Sequence, residues 1–401
     1  MRSGYATLPL HNGRAPEWLT RRMARLGRAV VEVMVTEFGT RHFLERLSDP
    51  FWFQAFGCAL GFDWHSSGVT TTVCGALKEG LQDAGPSIGI FVCGGKGGRS
   101  RKTPDEIAHF CEGIGTDPVP LAHASRMSAK IDSAAVQDGY QLYHHSFFFE
   151  RDGHWSVVQQ GMADERDPLG AAHRGMARRY HWMGSRVNSW DVDPHAAICC
   201  DARGQLALNL VAAEGAANRD AAVRVFDLPA DSLLREVRRL PELRMDRRHQ
   251  VLLSDVHPDR IQTILLQTYD RPPSSFLDLL GRPKVGAKTM RALSLIGEIV
   301  YGASPSFTDP ARFSFAHGGK DGTPYPVDRT VYGETIETLR EILDSSGIDR
   351  QEKLSGLKRL AKFERAVGHT DRQMQRDAYQ ASAPVTNATS SSTQSPTSRN
   401  E

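Results

Sequence analysis

Asp63 and His65 in GFDWHSSGVTT, Lys130, Asp132 and Asp138 in SAKIDSAAVQDGY, and His144 and His145 in QLYHHSF bring carboxylates, imidazoles and an ammonium into one part of the chain. Hard divalent ions such as magnesium or manganese take oxygen ligands, and a neighbouring base or lysine prepares the attacking water. This mixture therefore suits metal-assisted phosphodiester hydrolysis. The expected metal ligands are Asp63, His65, Asp132, Asp138 and His144, and the expected catalytic residues are Asp63, His65, Asp138 and Lys130, with His145 and Gln160 in reserve. On an extended strand His144 and His145 point to opposite faces, so at most one of them serves a given site. A Ser/His/Asp reading of Asp63, His65 and Ser66 lacks the Gly-x-Ser-x-Gly elbow and is set aside.

A second chemistry sits in FLDLLGRPKVGAKTMRALSLIGEIVYG, where two apolar runs flank a basic Pro/Gly turn. RPKVGAKTMRAL resembles the hairpin of helix-hairpin-helix DNA-binding modules. Pro283, Val285, Gly286, Lys288, Thr289 and Leu293 match that pattern, whereas Arg282, Lys284 and Met290 depart from it. A helix N-terminus offers outward amides and the positive end of its dipole, and glycine lets a ligand approach the backbone. The resemblance implies phosphate binding by Lys284, Val285, Gly286, Ala287, Lys288 and Thr289, independent of base sequence and sensitive to salt. An ordinary helical hairpin with a glycine turn is the competing reading. The downstream run DPARFSFAHGGKDGTPYPVDR is similar to the Gly/Pro loop and aspartate of glycosylases in the same superfamily. That likeness implies a lyase alternative, with Lys288 as Schiff-base lysine and Asp328 as supporting carboxylate, although 40 residues separate the two.

A third candidate is the Gly-rich, basic stretch CGGKGGRSRKTP, in which Lys96, Arg99, Arg101 and Lys102 follow an apolar run and precede a helix start at Thr103-Pro104-Asp105-Glu106. Its amides could cradle a phosphate, but the Gly-Lys-Ser/Thr ending of a P-loop is missing, and a solvated loop fits equally.

The elements that must position these residues can be read from periodicity. Residues 16–47 repeat apolar positions at helical spacing. From 51 to 210 short apolar or alternating runs alternate with glycines, which predicts a sheet-based α/β or α+β domain over 1–215. YQLYHHSFFFE and HWSVVQQGM flank Arg151-Asp152-Gly153 as a β-hairpin, and TPDEIAHFCEGI is expected to be a helix. From 228 onward helical patterns dominate, giving a mainly α domain over 225–370 that carries the helix-hairpin-helix. The Ser/Thr/Asn-rich stretch 376–401 is expected to be a disordered tail.

With 49 basic and 47 acidic residues, no global field announces a polyanionic partner, so any DNA footprint must be local. Six cysteines show no Cys-x-x-Cys spacing, which fits a reducing compartment, and no apolar segment is long enough to span a bilayer. The expectation is a cytoplasmic protein without a membrane partner. The strings LPLHNGRAPEWL, GFDWHSSGVTT, GGKGGRSRKTP, QDGYQLYHHSF, VVQQGM, ARRYHW and VGAKTMRAL together resemble the prokaryotic family filed as domain of unknown function 763. That resemblance implies no activity. The residues themselves lead to the expectation of a divalent-metal DNA nuclease in repair or recombination. The alternatives are the glycosylase/lyase and a non-catalytic DNA-binding adaptor that docks a helicase or another repair protein.

Overall fold

The computed structural model describes residues 17–62, 68–164, 176–200, 206–239, 262, 271–311 and 329–361. At its centre is a five-stranded antiparallel sheet in the order β1-β3-β4-β5-β6. Its strands are β1 (Ile90–Lys96), β3 (Tyr140–Glu150), β4 (Trp155–Ala163), β5 (Ala177–Met183) and β6 (Ala197–Cys200). A two-stranded ribbon of β2 (Val136–Gln137) and β7 (Leu208–Asn209) lies apart from it. Strands β3 and β4 are the hairpin expected from the sequence, joined through Arg151, Asp152 and Gly153.

Helices cover both faces of the sheet, which explains why Phe147, Phe148 and Phe149 form an unbroken apolar run instead of alternating with polar residues. Phe147 and Phe149 join one apolar cluster with Val157, Tyr180 and Trp182. Phe148 points the other way and joins a second cluster with Val158 and Met183.

The second cluster is closed by α1 (Glu17–Phe38), α2 (Thr40–Leu47), α3 (Pro50–Leu60) and α4 (Val69–Leu81). The sequence pattern over 16–47 reads as one helix, but the chain breaks at Gly39, whose φ of 86° lies where side-chain-bearing residues are disfavoured. The stretch after 51 opens as helices α3 and α4 rather than strands. All of α3 except Phe51 is buried, so PFWFQAFGCAL shows no amphipathic period.

A short turn α5 (Gly85–Ile88) leads into β1. The first cluster is covered by α6 (Thr103–Ile114), α7 (Pro118–Lys130), α8 (Ala216–Arg224), α9 (Ala230–Arg239), α10 (Phe276–Gly281) and α11 (Ala287–Tyr301). Helix α6 coincides with the expected TPDEIAHFCEGI element. Helix α12 (Arg329–Ser345) and a further helix over the described residues 350–361 return to the second cluster through Leu339, Ile342, Leu343 and Leu360. The described helices of 225–370 are therefore shared between the two layers, and buried residues of α10 and α11 belong to the same cluster as the sheet. The region 376–401 lies outside the described residues.

Among the described residues Cys58, Cys74, Cys93, Cys111 and Cys199 are buried and unpaired in disulfides. No described helix is long and apolar enough to cross a membrane.

Candidate phosphate-binding site

The antiparallel register of β1 against β3 sets Lys96 opposite His144 and Gly94 opposite Ser146. Directly opposed residues share a sheet face, so Lys96, His144 and Ser146 look toward α4. Together with Thr71, Cys74 and Lys78 of α4 and with Arg99, they line a cleft of about 580 Å³. The basic stretch after β1 folds as a 3-10 helix (Gly97–Lys102) that leads directly into α6. Lys96, Arg99, Arg101 and Lys102 are all exposed, and the Lys96 ammonium lies 5.7 Å from the centroid of the Tyr143 ring.

Behind the cleft, Lys78 Nζ donates to the Gly94 carbonyl at 2.8 Å and to both Glu106 oxygens, and the Gly94 amide donates to Glu106 Oε2 at 2.6 Å. This ties α4, β1 and α6 together at one point. A Cβ at Gly94 would sit 2.3 Å from the His145 carbonyl oxygen and 2.7 Å from Thr103 Oγ1, at a φ of +89°. Gly94→Ala should therefore cost about 2–4 kcal/mol, read as a lowered denaturant midpoint.

His144 is 2 % exposed. Burial, with smaller contributions from His145 and Lys96, lowers its pKa to about 3, so the ring is neutral near pH 7. Its Nε2 lies 3.0 Å from Ser146 Oγ, while Nδ1 has no hydrogen-bond partner among the described residues.

Of the expected metal ligands that are described, Asp132 and Asp138 do not gather with His144. Asp63 and His65 lie outside the described residues. Asp138 is buried on the opposite face of the sheet, where its Oδ2 accepts from Arg178 Nη1 at 2.8 Å and from the Tyr180 hydroxyl at 2.8 Å. Arg178 also makes a bidentate pair with Asp309 at 2.9 and 2.8 Å. Asp138 thus serves as a structural counter-ion rather than an open ligand. Asp132 is equally enclosed, accepting from Gln159 Nε2 at 2.6 Å, from Trp182 Nε1 at 2.9 Å and pairing with His195 Nε2. Burial raises both carboxyl pKa values, opposed by His195 at Asp132 and by Arg178 at Asp138. His145 continues the Asp132 network, with Nδ1 2.8 Å from Gln159 Oε1 and Nε2 2.9 Å from Ser125 Oγ. Among the described residues no group of three or more His, Cys, Asp or Glu side chains is placed to hold a metal ion.

Lys130, expected as a catalytic ammonium, has a structural task. Its Nζ donates to the carbonyls of Val285 at 2.5 Å and Arg282 at 3.4 Å, and burial lowers its pKa. These are carbonyls of the turn between α10 and α11. Gln137 grips the same hairpin, donating to the Ala287 carbonyl at 2.9 Å and accepting from Arg291 Nε at 2.7 Å.

The turn itself presents Lys284 and Lys288 to solvent, whereas Val285 and Thr289 are buried at 1 % and 3 % exposure. Gly286 is the N-cap of α11, with no side-chain cap, and a Cβ there would meet nothing within 4 Å. The first intrahelical bond runs from the Met290 amide to the Gly286 carbonyl, so earlier amides of α11 precede the backbone ladder. Lys284 adopts a φ of 66°, a left-handed conformation that favours glycine. Asp328 and the preceding Gly/Pro loop lie outside the described residues.

Sequence reading missed the Asp132–His195 pair, because the two carriers are distant in the chain and meet only through the sheet. Asp193, at a φ of 42°, is the one local oddity beside it among the described residues.

A family model described as "Protein of unknown function (DUF763)" matches residues 4–327. No curated protein and no solved structure matches the chain.

Proposed function

The chain belongs to the DUF763 family, whose description assigns no activity, and from the site alone we propose that it is a DNA-binding, DNA-processing protein that grips the phosphodiester backbone through the α10–α11 turn. The observation that carries this reading is the combination at that turn: two exposed lysines, an uncapped helix N-terminus and open space over Gly286. An anionic oxygen answers all three at once. Lys284 adds a further argument. A left-handed lysine costs about 1 kcal/mol or more, and such strain is kept where the side chain earns a role.

The test is duplex binding by fluorescence anisotropy. Gly286→Val combined with Lys288→Glu fills the open space and reverses a charge, and should weaken binding at least about tenfold. Unchanged affinity removes the hairpin from the account.

Processing is read as backbone hydrolysis by a divalent-metal nuclease in repair or recombination, with Asp63 and His65 as the remaining candidate ligands. The enclosed state of Asp132 and Asp138 favours a second reading, a non-catalytic adaptor that holds DNA for a helicase or another repair protein. Metal-dependent, EDTA-sensitive cutting that Asp63→Ala abolishes supports the nuclease; no cutting with magnesium or manganese supports the adaptor. The lyase reading fares worse: it needs a desolvated lysine, and Lys288 is exposed.

A further inference from the structure

We propose that the cleft between α4 and the end of β1 binds a phosphomonoester group, received by His144 Nδ1 and flanked by Lys96 and Arg99. It rests on the DNA-processing reading and deepens it by naming the group that enters.

Ser146 Oγ lies 3.0 Å from His144 Nε2. We assign Ser146 as the donor to Nε2, which places the proton of the neutral ring on Nδ1. A buried N–H without a partner is costly, so the site is organised for an acceptor that arrives from outside. A phosphate oxygen is such an acceptor.

Charge supports the same ligand. Lys96 sits directly across the strand pair from His144, and Arg99 lines the cleft beside it. The carboxylates nearby are accounted for: Glu106 is paired with Lys78, and Glu79 is exposed at the rim. Gly94, opposite Ser146, leaves the cleft floor without a side chain.

Size and depth select a monoester. A volume of about 580 Å³ is of the scale that holds a mononucleotide. His144 is 2 % exposed, and an internal phosphodiester, continued by chain on both sides, cannot reach so deep a donor. A terminal phosphate can. Two sources share this chemistry, a phosphorylated DNA end and a free deoxynucleoside monophosphate.

The experiment is calorimetric titration of the full chain with thymidine monophosphate against thymidine, and with duplexes bearing a 5′-phosphate against a 5′-hydroxyl. A preference for the phosphorylated duplex identifies the DNA end as ligand; a preference confined to the nucleotide pair identifies the free nucleotide; either supports the site. In each case Lys96→Ala with Arg99→Ala, both exposed positions, should weaken binding about tenfold or more. His144→Phe should abolish the phosphate preference in a chain whose circular dichroism is unchanged. No phosphate preference in either pair, or one that survives Lys96→Ala with Arg99→Ala, overturns the proposal. Lys284→Ala with Lys288→Ala separates it from the hairpin reading. Monophosphate binding with duplex affinity unchanged in that variant refutes the hairpin reading and leaves the cleft assignment standing.

Discussion

Arg178→Met should destabilise the protein by about 3–5 kcal/mol, the usual cost of stranding a buried charge. The guanidinium is fully buried between Asp138 and Asp309, whose side chains are 1 % and 2 % exposed. Methionine fills similar volume, so the loss comes from the two carboxylates rather than from a cavity. It should appear as a lower urea midpoint followed by tryptophan fluorescence. Adding Asp138→Asn and Asp309→Asn should recover part of the loss, because the stranded charges are gone. The deficit should also narrow as pH falls toward about 5, since a carboxyl raised by burial takes up its proton in the native state first and native stability is then regained. A loss below about 1 kcal/mol would mean that water reaches this triad.

Acidification should unfold the wild-type chain at an unusually mild pH. Burial lowers His144 to about 3 and His145 to about 4, and holds His181 well below the ordinary histidine value. Each group therefore binds its proton in the unfolded chain before it does so in the native one. Their stabilising contribution is present above the unfolded value of about 6.5 and is lost as pH falls below it. Three such groups remove about 4 kcal/mol per pH unit, which exhausts a typical stability of about 5–15 kcal/mol within a few units. Asp132 and Asp138 act in the opposite sense, because burial raises them, and they contribute only once the native carboxyls protonate. The unfolding free energy, followed from about pH 6.5 to 5.5, should show an uptake approaching three protons. An uptake below one proton would contradict the burial of these rings.

How much of this was legible in the sequence depended on distance along the chain. The β3–β4 hairpin and α6 could be read because their signals are local: a Gly-containing turn between β-rich runs, and a Thr-Pro-Asp-Glu helix start. The turn lysines were legible for the same reason, since Lys284, Gly286 and Lys288 are neighbours. Helix α3 was not legible, because an element buried nearly all round carries no periodicity.

The cleft was half legible. The basic run 96–102 stood out, but its pairing with His144 follows from the register of β1 against β3, strands with the 3-10 helix, α6, α7 and β2 between them in the chain. Asp132 and Asp138 stood out as carboxylates, yet what neutralises them, His195 in one case and Arg178 with Tyr180 in the other, is set by where β5 and the 195 region fall across the sheet. Residue type announced the charge, and tertiary register decided whether it was open or enclosed.

The central claim, that the α10–α11 turn holds a DNA phosphate backbone, is tested most directly by the salt dependence of duplex binding in the wild type and in Lys284→Ala with Lys288→Ala. Each lysine–phosphate contact contributes about 0.9 to the slope of log affinity against log salt. The account predicts a variant slope shallower by about 1–2, with affinity reduced alike for unrelated duplex sequences. Equal slopes in the two proteins would contradict it.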